Sequence, residues 1–180
     1  SAFCDVPAQA AERFVISCDY GTVNPSSFGL WGLVGDVWYR LCEYYYDSRA
    51  MGSQKTDEEH YASLCELAGD RRIEKVIVDP SAASFIQTIQ RHNRFNVQSA
   101  DNRVIDGIRM TSTALRDGKI KICNTCADSM REFGLYRWDD NGVKDCPVKE
   151  NDHAMDDIRY FVTTVCSGDD DGFFAVAAYR

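Results

Sequence analysis

Long apolar runs and an excess of positive charge are both missing from this sequence of 180 residues. No run approaches the roughly 20 apolar residues that a membrane-spanning helix needs, and the N-terminus lacks the charged-then-apolar layout of a signal peptide. Twenty Lys and Arg residues stand against 28 Asp and Glu residues, which gives a formal net charge of −8. That sign opposes non-specific attraction to phosphates. We therefore expect neither a membrane protein nor a secreted one, and any nucleic-acid role must come from a local site.

The density of cysteine is also low for a disulfide-rich protein. Eight cysteines in 180 residues fall short of the roughly 8–10% that is typical of small disulfide scaffolds. Cys18 lies in the apolar run FVISCDYG and Cys42 in WYRLCEYYY, so we expect buried, reduced thiols in an intracellular protein. Hydrophobic residues make up 44% and charged residues 27%, which is the composition of a single globular domain of this length.

Apolar runs of strand length dominate the first third of the chain. Residues 13–19 form a short apolar run that is typical of a buried strand. Residues 28–34 and 37–47 are rich in aromatic side chains and flank a Gly35-Asp36 turn, which predicts a hairpin. We therefore expect three sequential antiparallel strands.

Strand and helix patterns alternate in the remainder of the chain. Thr56 and Glu59 have the spacing of a capping box, and the helix that they begin is expected to end at Gly69. A buried strand at 75–80 and further helices follow, at 82–92, from Asp101 to Gly118, and from near Asp152. We predict an α/β fold whose mixed central sheet is antiparallel in its first three strands, parallel afterwards, and flanked by helices. This is the layout of the ribonuclease H-like fold.

Carboxylates lie at the ends of two predicted strands and on the last predicted helix. Asp19 ends the first strand, and Asp79 follows the apolar VIV segment. In the segment NDHAMDDIRY, His153 stands three residues before Asp156 and four before Asp157, a spacing that places them on one helical face. Turn formation by either strand-end acid, or a solvated acidic helix start, would also explain each acid by itself.

Acids from three separate elements are the ligands that a two-metal site requires. Mg²⁺ and Mn²⁺ prefer hard oxygen ligands, chiefly carboxylates. Two such ions about 4 Å apart can activate a water molecule and stabilise the leaving oxygen of a phosphodiester. The pattern thus indicates metal-dependent phosphodiester hydrolysis as one interpretation.

Six segments carry a resemblance to a known family. In chain order they are DYGTVNPSSFGLWG, VDPSAASFIQTIQRH, ADNRVIDGIR, DGKIKIC, REFGLYRWD and PVKENDHAMDDIRY, and they span about residues 13–165. With these segments the chain resembles the nuclease domain of a phage terminase large subunit. The resemblance implies a ribonuclease H-like domain that uses Mg²⁺ or Mn²⁺ to cut concatemeric viral double-stranded DNA during genome packaging.

The resemblance also implies roles for individual residues. Asp19, Asp79 and Asp156 would be the metal-binding, catalytic carboxylates, and His153 would be an accessory catalytic or metal-proximal residue. The family usually has Ala after the last acid, whereas this chain has Asp157. Asp157 is therefore expected to be a further metal ligand or to share the role of Asp156.

The same resemblance implies partners and a location. The partners are double-stranded DNA, an upstream ATPase domain of the same protein, the portal and the small terminase subunit. The location is the cytoplasm of the infected bacterial host, and no association with a membrane is expected. No G-x-x-x-x-G-K-[ST] phosphate loop occurs in the sequence, so this chain is not expected to supply the ATPase. Residues 1–12 are expected to be a lead-in from that ATPase domain, and residues 13–180 the nuclease domain.

Other interpretations remain open at this point. A C-x-x-C pair with a distant Cys and His could form a zinc ribbon in a non-catalytic packaging adaptor, although one pair is a weak signal. A junction-resolving nuclease of the same fold would use the same acids. The segment 19–22 also resembles the first phosphate loop of actin-like ATPases, which need a second domain. The candidate zinc ligands are Cys123, Cys126, Cys146 and His153.

Overall fold

The structure, a computed structural model, describes residues 1–135 and 150–167. Cys146, one of the candidate zinc ligands, lies outside the described residues. Within the two described ranges, no helix combines the length and the apolar character that crossing a membrane requires.

One mixed sheet forms the centre of the described structure. Its seven strands are β1 (Phe3–Cys4), β2 (Arg13–Asp19), β3 (Ser26–Val34), β4 (Val37–Tyr46), β5 (Ile73–Val78), β6 (Val97–Ser99) and β7 (Ile120–Cys123). Their order across the sheet is β1-β7-β4-β3-β2-β5-β6. The β2–β3 and β3–β4 pairs are antiparallel, and the other four pairs are parallel. The predicted mixed sheet, with an antiparallel N-terminal part, is confirmed.

The hairpin between β3 and β4 forms where the sequence predicts it. Val34 pairs with Val37, so Gly35 and Asp36 alone make the connection. Gly35 has a φ of +58°, a value that two-residue hairpin turns demand and that glycine adopts at little cost.

Six helices pack around this sheet in the described residues. They are α1 (Ser48–Met51), α2 (Asp57–Ala68), α3 (Ala83–His92), α4 (Ile105–Arg116), α5 (Ala127–Leu135) and α6 (His153–Phe161), which continues as a π-helical turn over Val162–Cys166. The capping box of Thr56 and Glu59 is present at the start of α2. Gly69 follows α2 with a φ of +57°, so both predicted ends of this helix are confirmed.

The predicted start of α4 is wrong by several residues. Asp101 does not cap this helix, which begins at Ile105 after Val104 without any side-chain cap. The Asp101 carboxylate instead accepts hydrogen bonds from the backbone N–H and the guanidinium of Arg103. A local ion pair therefore competes with the capping role that the sequence pattern suggests.

Part of the predicted lead-in belongs to the sheet. Phe3 and Cys4 form β1, which pairs in parallel with Ile122 and Cys123 of β7 at one edge. Glu12 also donates its backbone N–H to the carbonyl of Leu33. Residues 1–12 thus contribute an edge strand to the structure.

Apolar side chains form a core on each face of the sheet. Successive residues of a strand point to opposite faces, and in β2 both Val15 and Ile16 are completely buried, each in a different core. α4 and α6 cover one face, where Phe161 stacks on Trp31 with ring centroids 3.9 Å apart. α2 and α3 cover the other. α6 is therefore held directly against the centre of the sheet.

The cysteines in the described residues are all free thiols. Their burial is mixed, because Cys18, Cys123 and Cys126 are buried whereas the others are partly exposed. The expectation of buried thiols therefore holds for Cys18 but is wrong for Cys42, which lies in a strand with one partly open face.

Candidate active site

Two of the predicted acids lie at the same edge of the sheet. Asp19 is the last residue of β2, and Asp79 directly follows Val78, the last residue of β5. These strands are parallel neighbours, with Cys18 opposite Val78. The carboxyl ends of parallel strands are where sites collect in α/β proteins, and the structure brings both predicted residues to such an edge.

Gly21 permits a tight loop beside Asp19. A Cβ atom at this position would lie 2.5 Å from the carbonyl oxygen of Asn24 and 2.9 Å from that of Pro25, closer than packed atoms allow. Ser26 closes the loop by accepting from the N–H of Gly21 and donating to its carbonyl. The absence of a side chain at Gly21 thus lets the backbone of Asn24 and Pro25 pack closely against it.

Helix α6 lies across the strand ends and contacts both acids. The His153 Nδ1 atom is 2.9 Å from Oδ2 of Asp19. Seven residues later, the hydroxyl of Tyr160 donates to Oδ2 of Asp79 at 2.8 Å. Residues at these spacings share one face of a helix, so a single helix reaches the ends of both β2 and β5.

Asp156 completes an acidic cleft next to Asp19. A cleft of about 230 Å³ is lined by Asp19, Asp152, His153 and Asp156, together with the loop after β2. The carboxylate of Asp156 accepts a hydrogen bond from Arg159 at 2.9 Å, and its side chain is only 15% exposed. The structure therefore assembles three of the predicted residues in one cleft, beside the contact between Tyr160 and Asp79.

Burial and like charge make Asp19 a weaker acid than usual. Burial is the largest cause, and with the negative charges of Asp156 and Asp157 it raises the pKa of Asp19 to about 6, although the hydrogen bond from His153 opposes this. Burial acts to lower the pKa of His153, but the hydrogen bond and the charge of Asp19 outweigh it and the pKa is raised. Ionised Asp19 is thus stabilised chiefly by a protonated His153.

Asp79 has the opposite electrostatic character. Burial acts to raise its pKa, but hydrogen bonds from the backbone N–H of Ser81 and the hydroxyl of Tyr160 outweigh burial and hold the pKa below its usual value. Asp79 is therefore an ionised carboxylate at neutral pH, held by several hydrogen-bond donors.

Asp157 points away from the cleft, into the interior. Its side chain is completely buried, with Oδ1 2.8 Å from Nη1 of Arg40 and Oδ2 2.6 Å from Nη2. Ser27 donates to Oδ2 at 2.8 Å, and Ser17 donates to Oδ1. With every lone-pair direction occupied, this carboxylate has a structural role in the described geometry, and we do not retain Asp157 as a metal ligand.

Arg40 reaches this position because a glycine makes room for it. A Cβ atom at Gly29 would lie 1.7 Å from Nη1 of Arg40. The guanidinium also contacts Glu43 at 3.3 Å and lies 5.7 Å from the ring centroid of Trp31. Sequence patterns gave no signal for this pair, because 117 residues separate Arg40 from Asp157.

Two glutamates that the sequence analysis missed cap the helices at the site. Glu132 of α5 accepts from the N–H groups of Ala154 at 2.6 Å and Met155 at 3.3 Å, at the start of α6. Glu43 of β4 caps α5 in the same way, at the N–H groups of Asp128 and Ser129. The side chain of Asp152, the N-cap residue of α6, makes no capping hydrogen bond. Because the capping carboxylates come from other elements, no spacing in the local sequence predicts them.

The donor atoms at the strand ends suit a hard divalent cation, because they are carboxylate oxygens in a partly buried cleft. Burial, and then the negative charges of Asp156 and Asp157, raise the pKa of Asp19, and a bound cation would favour its ionised form. In the described residues, no three His, Cys, Asp or Glu side chains stand close enough to hold an ion as they are. Each acid is instead hydrogen-bonded to a residue of α6: Asp19 to His153, Asp79 to Tyr160, and Asp156 to Arg159.

The geometry gives little support to a zinc ribbon. The Sγ atom of Cys126 donates to the carbonyl of Arg40 at 3.3 Å, and His153 is bound to Asp19. Within residues 1–135 and 150–167, no Cys and His cluster of metal-binding geometry occurs. His153 therefore belongs to the acidic cleft.

Comparison with known proteins finds phage large terminases among the relatives of this chain. No family model matches the sequence. The large terminase of a thermophilic bacteriophage, solved in complex with ADP, is 43% identical, and its structure superposes with a TM-score of 0.88 over 91% of this chain and 42% of that one. The large terminase subunit of Escherichia phage T5 is 24% identical over 139 residues, which are 74% of this chain and 30% of that protein.

A nuclease domain is also among the similar structures. The g2p (large terminase) nuclease domain of bacteriophage SPP1, solved with bound Mn, is 16% identical and has a TM-score of 0.58 over 88% of this chain and 94% of that domain. At this identity the likeness shows the fold alone. The chain spans less than half the length of the thermophilic-phage terminase and of the T5 subunit. This chain is therefore similar to the phage terminase large subunits, and its fold is that of the solved terminase nuclease domains, which is ribonuclease H-like.

Proposed function

We propose that this chain is a divalent-metal-dependent endonuclease that cuts concatemeric viral double-stranded DNA during genome packaging. The observation that carries the proposal is the convergence of Asp19 and Asp79 at one sheet edge, under a helix that contacts both and adds Asp156. The relation to terminase large subunits, and the Mn held by the SPP1 nuclease domain, support it.

The three acids would hold Mg²⁺ or Mn²⁺ as a two-metal site. When bound, such ions activate water and stabilise the leaving oxygen of a phosphodiester. In this proposal Asp19, Asp79 and Asp156 supply the carboxylate oxygens. Burial acts to lower the pKa of His153, but its contact with Asp19 raises the pKa overall, so a protonated His153 would place a positive charge at the cleft. That charge favours approach of the phosphate and keeps the Asp19 carboxylate oriented.

The wider setting of the activity is part of the same proposal. Residues 13–180 would be the nuclease domain, and residues 1–12 a lead-in from an ATPase domain of the same protein. That domain, the portal and the small terminase subunit would present DNA to the cleft in the cytoplasm of the infected bacterial host. The net charge of −8 supports dependence on partners for holding DNA.

Plasmid cleavage tests the activity directly. Supercoiled plasmid incubated with the chain and Mn²⁺ should be nicked and linearised to products with 3′-hydroxyl ends, with little sequence preference, and EDTA should stop the reaction. Asp19→Asn, Asp79→Asn and Asp156→Asn should each lower the rate by orders of magnitude, because a neutral amide is a poor ligand for a hard dication.

Asp36→Asn provides the matched control. Asp36 lies in the β3–β4 turn, at the opposite end of the strands from Asp19. The same chemical change there should leave cleavage intact. Intact plasmid across a range of Mn²⁺ and Mg²⁺ concentrations would contradict the proposal. Strong preference for four-way junctions over linear duplex would favour a junction-resolving nuclease instead.

A further inference from the structure

We infer that Tyr160 is a positioning residue of the proposed metal site, and that its hydroxyl restrains the carboxylate of Asp79 at the strand end where the site would form. The inference rests on the proposed function, because it concerns the site at which that function would take place. It assigns a role to a side chain that neither the acid pattern of the sequence nor the comparisons single out.

The hydrogen bonds of Asp79 are divided between its two oxygens. Oδ2 accepts from the Tyr160 hydroxyl at 2.8 Å, and Oδ1 accepts from the backbone N–H of Ser81, also at 2.8 Å. Two bonds on different oxygens determine the rotation of a carboxylate about its own axis. The side chains of Ser81 and Asn102 add further hydrogen bonds to this carboxylate.

Tyr160 is suited to donate and unsuited to act as a base. The residue is only 4% exposed, and its hydroxyl lies 2.8 Å from Oδ2 of Asp79. A tyrosine hydroxyl, with an ordinary pKa of about 10, is protonated at neutral pH and therefore donates to an ionised carboxylate. Tyr160 comes four residues after Asp156 on α6. One helix turn therefore places the two side chains on the same face of the helix, towards the strand ends.

Hydrogen bonds that orient ligating groups contribute measurably to metal sites. Loss of such an outer partner typically weakens metal binding or activity by about 10–100-fold. Tyr160→Phe removes only the hydroxyl and keeps the ring, which packs in the core and lies 4.9 Å from the guanidinium carbon of Arg159. We therefore expect the variant to fold.

The decisive measurement is Mn²⁺ affinity without DNA. Isothermal titration of Mn²⁺ alone into wild type and Tyr160→Phe should give a Kd that is about tenfold or more higher for the variant. Tyr44→Phe is the matched control, because it removes the hydroxyl of a partly buried tyrosine that bonds to His60 and not to any site acid. Its Kd should stay within about twofold of wild type, and melting in EDTA should show that both variants are folded.

A double-mutant cycle separates positioning from general structural support. If the hydroxyl acts through Asp79, Tyr160→Phe should change the Mn²⁺ Kd little once Asp79 is already Asn, because the two changes then remove one interaction. An unchanged Kd for the single variant, or additive effects in the cycle, would overturn the inference. A wild-type chain that neither binds Mn²⁺ nor cuts plasmid would instead refute the proposed function, so the two failures are distinguishable.

Discussion

The carboxylate of Asp19 stores unfavourable electrostatic energy in the folded chain. Its pKa is raised from 3.8 to about 6, chiefly by burial, and about two pKa units correspond to about 3 kcal/mol. A group whose pKa is raised on folding destabilises the protein once it is ionised. In the metal-free chain, Asp19 therefore opposes the fold at neutral pH.

Asp19→Asn tests this at the scale of one residue. The amide keeps the shape and can still accept from His153, so in EDTA at pH 7 the variant should melt no lower than wild type and up to a few degrees higher. The difference should shrink towards pH 4, because wild-type Asp19 regains its proton as the pH falls below about 6. Mn²⁺ should raise the melting temperature of wild type more than that of the variant, since only binding to the folded state stabilises. A variant that melts well below wild type in EDTA and gains equally from Mn²⁺ would make Asp19 structural.

Helix α6 is fixed by partners on several other elements. Arg40 of β4 binds Asp157 of this helix through two charged hydrogen bonds. Glu132 of α5 caps the first turn of α6. Arg159 donates to the backbone carbonyls of Asn102 and Arg103, before α4. These contacts fix the position of α6 relative to the sheet and its rotation about its own axis. They therefore determine where the site residues of α6 meet the strand ends.

Arg40→Met tests the importance of this support at the scale of the element. Removing one partner leaves Asp157 buried and charged, and such a loss typically costs about 3–5 kcal/mol, or roughly 10 °C of melting temperature for a chain of this length. Arg40→Met combined with Asp157→Leu should recover part of the loss, because the buried charge of Asp157 is then gone and Glu43 keeps its hydrogen bonds from Asp128 and Ser129. Arg13→Met is the control: the Arg13–Glu74 pair is exposed, with side chains 52% and 35% accessible, so less than about 1 kcal/mol is expected. Equal melting of the two single variants would contradict a supporting role for Arg40.

At the scale of the whole molecule, charge opposes binding to DNA. Besides the net charge of −8, several exposed arginines already face a carboxylate at 2.7–3.2 Å, which weakens their attraction for phosphate; these pairs are Arg91–Glu58, Arg103–Asp101, Arg116–Asp117 and Arg131–Asp128. Within the part of the chain that the structure describes, these paired arginines offer little of the basic surface that non-specific DNA-binding proteins use.

We accordingly expect weak duplex binding by this chain alone. Fluorescence anisotropy with a labelled duplex, with Ca²⁺ in place of a catalytic ion and at about 0.15 M salt, should give a Kd weaker than about 1 µM, in the range of non-specific binding. Affinity should improve as salt is lowered. A nanomolar Kd at physiological salt would show that local charge outweighs the net charge.

Features that depend on neighbours in sequence were predictable. A short apolar run indicates β2, aromatic-rich segments around the Gly35-Asp36 turn indicate the hairpin of β3 and β4, and the Thr56 capping box starts α2. Each of these depends on contacts within a few residues. The position of Asp19 and Asp79 at strand ends also follows from local pattern, and parallel pairing of β2 with β5 then brings them to one edge.

Only the tertiary structure decided the roles of the residues around those acids. Adjacent on one helix, Asp156 faces the cleft and Asp157 faces Arg40, since successive helical residues point about 100° apart and the sheet lies on one side. Glu132 and Tyr160 gain their roles from partners 22 and 81 residues away. The sequence by itself determined which carboxylates reach the edge of the sheet. Long-range packing decided which carboxylate is left to face the cleft and which is neutralised in the core, because burying a charge requires a partner that only the fold can bring to it.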